Sequence, residues 1–100
     1  MHAYENDPWA PGAAPLEQGM ALYAQGRRAE GVALYRRALR LEPGNVLAHF
    51  LLGLSLMAEQ RDAEARQEWE AVLSLPARGE RAAWAQRLAV TLLERYVPVA

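Results

Sequence analysis

Residues 19–41 read GMALYAQGRRAEGVALYRRALRL, and residues 53–75 read GLSLMAEQRDAEARQEWEAVLSL. A shift of 34 residues superimposes the two stretches, so that Gly19 falls on Gly53 and Tyr35 falls on Trp69. Seven further pairs are identical: Leu22 and Leu56, Ala24 and Ala58, Arg27 and Arg61, Ala29 and Ala63, Glu30 and Glu64, Leu39 and Leu73, and Leu41 and Leu75. Self-similarity at one fixed period indicates a repeat architecture, so this spacing decides the fold.

The rest of the chain has the composition and periodicity of helices. Ala and Leu dominate, Ile is absent, and Gly or Pro residues interrupt an apolar pattern with spacings of three and four. This pattern predicts five helices, at about 15–25, 28–41, 46–59, 62–74 and 80–95. Asn45 and Asp62 stand at the start of two of them, and we expect both to be N-caps because their side-chain oxygens can accept from free amides. The predicted fold class is therefore all-α.

The repeat resembles the tetratricopeptide repeat family, whose unit is a pair of helices of this length. Four features carry the resemblance: a small residue in each first helix, a small residue in each second helix, an aromatic residue and a closing proline. They are Gly19 and Gly53, Gly31 and Ala65, Tyr35 and Trp69, and Pro43 and Pro76. Pro15, His49 and Val72 depart from the residues that the family usually has. The resemblance implies a short α-solenoid of two helix hairpins, at about 12–45 and 46–77, and a capping helix at about 80–95.

The two ends of the chain differ in character. Residues 1–13 contain Pro8, Pro11 and Gly12, which predict an extended leader before a helical domain at 14–100. Two aromatic residues in the leader, Tyr4 and Trp9, indicate that it docks on something, since disordered tails usually lack them. We expect the last helix to be a solvating cap. Its inward residues would be Leu88, Ala89 and Leu92, and its water-facing residues Arg81, Gln86, Glu94 and Arg95.

The helix predicted at 46–59 is apolar on nearly every side and must be covered all round. At 100° per residue, one stripe contains the repeat's Gly53 with His49, Leu52 and Leu56, and packs inside the solenoid. The resemblance implies that the opposite stripe faces a concave groove where the family binds extended or helical peptides. The candidate groove residues are Met20, Tyr23, Leu47, Phe50, Leu51, Leu54, Met57, Arg87 and Val90.

Three kinds of occupant remain open for this groove: the protein's own packing, the leader with Tyr4 and Trp9, and a partner chain. The leading hypothesis is a non-catalytic protein–protein interaction module, an adaptor or scaffold that binds an apolar peptide or helix. The alternative is a structural, self-assembling homo-oligomer that uses the same apolar face. Because the chain has no Lys, the family's carboxylate-clamping subtype is not expected.

The charged residues predict no nucleic-acid or membrane partner. The formal net charge is -1, which gives no overall attraction for polyanions. All eleven basic residues are Arg. Arg36, Arg37 and Arg40 form a local basic patch, for which we weigh two interpretations: ion pairs with the acidic helix 62–74, or an acidic partner.

The sequence favours neither catalysis nor a cofactor. His2 and His49 are the only imidazoles and Cys is absent, so we expect no metal site, no cofactor and no nucleophilic triad. The first residues lack the pattern of a secretory signal, and no run of about 20 apolar residues predicts a membrane span. With no Cys to form disulfides, we expect a cytoplasmic protein.

Overall fold

The computed structural model describes residues 10–95, and these form five helices. They are α1 (Ala13–Ala24), α2 (Arg28–Leu41), α3 (Val46–Ala58), α4 (Asp62–Ser74) and α5 (Glu80–Arg95). No strand occurs between residues 10 and 95, which confirms the all-α fold class. The largest difference from the predicted bounds is at α1, which begins at Ala13 instead of 15, so the helix takes in the last residue assigned to the leader. The leader calls on Tyr4 and Trp9 lie outside the described residues.

Each hairpin is closed by a glycine of its first helix against its second helix. Gly19 of α1 lies against the Gly31 carbonyl oxygen and the Tyr35 ring, where an added Cβ would stand only 2.9 Å from both. Gly53 of α3 lies against the indole of Trp69, with an added Cβ 2.6 Å from Cδ1. The two hairpins therefore pack through equivalent positions, one repeat apart in the sequence.

The start of each second helix carries the same ion pair. The Arg27 guanidinium donates to both Glu30 carboxylate oxygens at 2.7 Å, and Arg61 does the same to Glu64 at 2.7 and 2.8 Å. Arg27 and Arg61 are the residues that precede α2 and α4, and neither helix has a side-chain N-cap. The prediction that Asp62 caps α4 is therefore wrong: Asp62 is already the first residue of the helix, where its charge favours the positive end of the helix dipole.

The turn between α2 and α3 joins the two hairpins. Asn45 Oδ1 accepts from the Ala48 amide at 3.0 Å, which confirms its predicted role as the N-cap of α3. Its Nδ2 donates to Glu42 Oε1 at 3.1 Å, and Glu42 in turn packs against Gly12, at the entrance to α1. The beginning of α1 and the beginning of α3 are thus held close together by one buried polar turn.

The last helix packs through small residues. Ala82, Ala85 and Ala89 are fully buried, which brings α5 close to α3 and α4. Two expectations for this helix are wrong. Gln86 does not face water but donates to the carbonyl oxygens of Val72 and Leu75, at 3.0 and 2.7 Å, and so satisfies the end of α4. Leu88 does not point inward but lies exposed beside Trp84, because the alanines occupy the inner face of α5.

Candidate interaction site on the concave face

An apolar pocket of about 320 Å³ opens between α1, α3 and α5. Met20 of α1, Leu47 and Leu51 of α3, and Trp84 of α5 form its apolar lining, and Glu80 and Arg81 stand at its edge. Pockets that hold small ligands range from roughly 300 to 1,000 Å³, so this pocket is large enough for one or two large side chains.

An ion pair joins the two outer helices beside this pocket. Arg81 of α5 reaches Glu17 of α1, with 3.8 Å between the guanidinium nitrogen and the carboxylate oxygen. The two side chains are 40% and 64% exposed, so the pair contributes little to stability. It does define the rim, because it spans from the first helix to the fifth past the side chains of α3.

Three of the nine candidate groove residues line the pocket: Met20, Leu47 and Leu51. Phe50 does not reach the surface, since it is only 1% exposed and the Trp84 ring packs edge-on against it with 5.5 Å between centroids. The helical wheel gave the direction of Phe50 correctly but could not show that the first turn of α5 covers it. Phe50 therefore supports the wall of the pocket from behind.

The other candidate groove residues lie outside the pocket. Tyr23 stacks on Tyr35 with 6.2 Å between ring centroids, and Arg28 lies over its other side. Leu54 and Met57 are half-buried, farther along α3. Arg87 and Val90 are exposed on α5, at positions equivalent by the repeat to residues of α3 that pack on α4. They therefore belong to the flank of α5 and not to the pocket.

Trp84 is the residue that the sequence prediction missed. It is 46% exposed, which is high for so large an apolar side chain, and it forms the α5 wall of the pocket. The signal was present, because a further shift of 34 residues carries Phe50 onto Trp84 and Leu47 onto Arg81. Applying the repeat to the capping helix as well would have placed both residues on the concave face.

Comparison with known proteins agrees with this geometry. A family model described as tetratricopeptide repeat matches residues 16–90, which is most of the chain. The chain belongs to the tetratricopeptide repeat family. Members of this family are generally protein–protein interaction modules and typically not enzymes. No match was found among curated proteins.

The basic patch of this tetratricopeptide repeat protein lies on α2, away from the pocket. Arg36, Arg37 and Arg40 are exposed. The pKa of Glu64 on α4 is lowered chiefly by its hydrogen bond to Arg61, with a smaller contribution from the charge of Arg36. One member of the patch is therefore close enough to interact with an acid of the neighbouring repeat.

His49 is a structural residue in this tetratricopeptide repeat domain. Its Nδ1 lies 2.8 Å from Glu68 Oε1 on α4, and its Nε2 lies 2.9 Å from the Pro43 carbonyl oxygen. A carbonyl oxygen and an ionised carboxylate only accept, so both ring nitrogens must carry hydrogen and the ring is an imidazolium. Burial lowers the pKa of His49, but the bonds to Glu68 and Pro43 raise it by more, so that the pKa is raised overall.

Metal and membrane sites were searched for in residues 10–95. Within that range, no group of three or more His, Cys, Asp or Glu side chains is placed to hold a metal ion. None of the five helices is both long enough and apolar enough to cross a bilayer.

Proposed function

We propose that this protein is a non-catalytic interaction module that binds a polypeptide segment by inserting one or two large apolar side chains of the partner into the concave pocket. The observation that carries the proposal is the exposed wall of Trp84, which stands open opposite Met20 and Leu51. Exposed aromatic residues beside a pocket are typical anchor points of protein interfaces. Covering one such side chain contributes roughly 1.5–3 kcal/mol.

The size of the pocket restricts the partner. A whole helix buries three or four side chains along a groove, whereas about 320 Å³ accommodates only one or two. The partner is therefore a segment with a single dominant anchor, such as Leu, Phe or Trp, and its remaining contacts lie along the half-buried Leu54 and Met57.

The test is selection from a displayed library of random peptides against the purified protein. We expect the selected peptides to share a large apolar residue and to lose at least about tenfold in affinity for Leu51→Glu, because a carboxylate in the pocket wall loses its hydration when a peptide covers it. Leu73→Glu is the matched control, since Leu73 is an exposed leucine of α4 and is not among the residues of the pocket. Peptides that bind both variants and the wild type equally would refute the proposal.

Self-assembly is the second candidate function, and the apolar surface of α5 favours it. Trp84, Leu88 and Val90 are all more than a third exposed on that helix. In this case the pocket of one copy receives α5 of another. Sedimentation over a wide concentration range distinguishes the two functions, because a monomer at all concentrations that still binds peptides excludes assembly as the role of the pocket.

A further inference from the structure

The strength of the pocket as a binding site depends on whether its ligand is tethered. A free peptide must offset the loss of its translational and rotational freedom with the few contacts that about 320 Å³ can provide. A segment of the same chain is already present at an effective concentration in the millimolar range, so the same contacts hold it much more fully. The pocket is thus better suited to a tethered segment than to a free one.

At least nine residues precede Ala10 in the sequence, and the described chain begins beside the pocket. Ala10 is buried, and Gly12 packs against Glu42. Glu42 bonds to Asn45, which is two residues before Leu47 in the pocket lining. The preceding segment therefore starts near the α3 wall of the pocket.

The length of that segment fits the distance to be covered. Met20, on the α1 side of the pocket, is ten residues beyond Ala10, or about 15 Å along the helix. Tyr4 is six residues before Ala10, and six extended residues reach about 20 Å. Trp9 is adjacent to Ala10 and cannot reach Leu51 and Met20, so Tyr4 is the aromatic residue with the required reach.

We propose that residues 1–9 fold back over the concave face and place the Tyr4 ring in the pocket against Leu51 and Trp84, so that a partner segment must displace it. The inference rests on the proposed function, because it describes the regulation of the same pocket. Apolar contact holds the segment: the rim has Glu17 and Glu80 beside Arg81, which gives no net attraction for the acidic residues Glu5 and Asp7. The occupancy of the pocket should therefore depend only weakly on salt.

A spin label tests the contact directly, without any partner. The chain has no cysteine, so Ala3→Cys provides a single attachment point in the full-length protein. We expect the nitroxide to broaden the methyl resonances of Met20 and Leu51 strongly and to leave the methyl resonances of Leu73 on α4 unchanged. Equal broadening at all three residues, or none, overturns the proposal. Broadening that appears only between separately labelled chains also overturns it, because the occupant is then a second copy.

Removing the anchor tests the regulation. With a peptide from the library selection, we expect Tyr4→Ala to bind at least about threefold more tightly than the wild type, and Tyr4→Phe to bind like the wild type, because Phe keeps the apolar ring. Equal affinities for all three proteins overturn the proposal. If the methyl resonances are broadened but no selected peptide binds any variant, the proposed partner function fails while the internal contact stands.

Discussion

The substitution Gly53→Ala tests the packing that aims α3 at the concave face. An added Cβ would overlap the Trp69 indole, with 2.6 Å to Cδ1 and 2.9 Å to Cε2. Trp69 is completely buried and donates from Nε1 to the Phe50 carbonyl oxygen at 3.4 Å, so the ring has no free direction in which to move. The overlap must therefore separate α3 from α4 or rotate the indole away from its hydrogen bond.

The expected net effect follows from three opposing contributions. Alanine in a helix interior is more favourable than glycine by about 1 kcal/mol. Overpacking of a tight core costs about 1–3 kcal/mol, and loss of the indole hydrogen bond costs about 1 kcal/mol more. We expect Gly53→Ala to lower the free energy of unfolding by about 1–3 kcal/mol. For a domain of this size, each kcal/mol corresponds to a fall in Tm of about 4–8 °C.

The assay is urea unfolding followed by circular dichroism at 222 nm, with Gly44→Ala as the matched control. Gly44 has no neighbour within 4 Å of an added Cβ, so alanine there should be neutral or stabilise by up to about 1 kcal/mol. A Trp69→Phe background should reduce the cost of Gly53→Ala, because Phe lacks the five-membered ring that meets the added Cβ. The reasoning is refuted if Gly53→Ala is as stable as Gly44→Ala, or if Trp69→Phe leaves its cost unchanged.

Two further predictions concern the polar turn and the histidine beside it. The folded protein raises the pKa of His49 above its ordinary value of 6.5, so its ion pair with Glu68 stabilises fully below about pH 6.5, and this contribution is lost as the pH rises through the folded pKa. Unfolding measured from pH 5.5 to 8.5 should show this decline in the wild type and a flatter profile in Glu68→Gln; parallel profiles would contradict the assignment. Asn45→Ala should cost about 1–2 kcal/mol by thermal unfolding, since it removes the cap of α3. Asn45→Ser should recover part of that loss because it restores the capping oxygen but not the bond to Glu42, and an alanine variant as stable as the wild type would exclude the cap as a significant contribution.

The sequence was sufficient for the helices because their signals are local. Apolar spacing and the Pro43-Gly44-Asn45 turn placed all five helices to within about two residues, and the repeat identified Gly19 and Gly53 as contact points. Both signals depend on residues that are near one another in the sequence or separated by one fixed period.

The pocket was less predictable because it depends on which helix covers which side chain. A helical wheel places Phe50 and Leu51 on the same side of α3, yet α5 covers Phe50 completely and leaves Leu51 partly open. Gln86 likewise appeared to be a surface residue until α4 ended beside it, with carbonyl oxygens to satisfy. Such outcomes are set by the packing between repeats, which a periodicity within one helix does not contain.

The third unit of the repeat begins in α5 but differs at the position that closes the first two hairpins. A shift of 34 residues carries Gly53 onto Arg87 and Leu56 onto Val90. In α3 these positions are buried against α4, whereas in α5 both are exposed. A long side chain at Arg87 prevents a helix from approaching this flank as closely as α4 approaches α3, because that approach requires a residue without a Cβ. The exposed Val90 is therefore explained by the repeat, and Trp84, which the repeat places on the concave face, is the apolar residue of α5 that is positioned to bind a ligand.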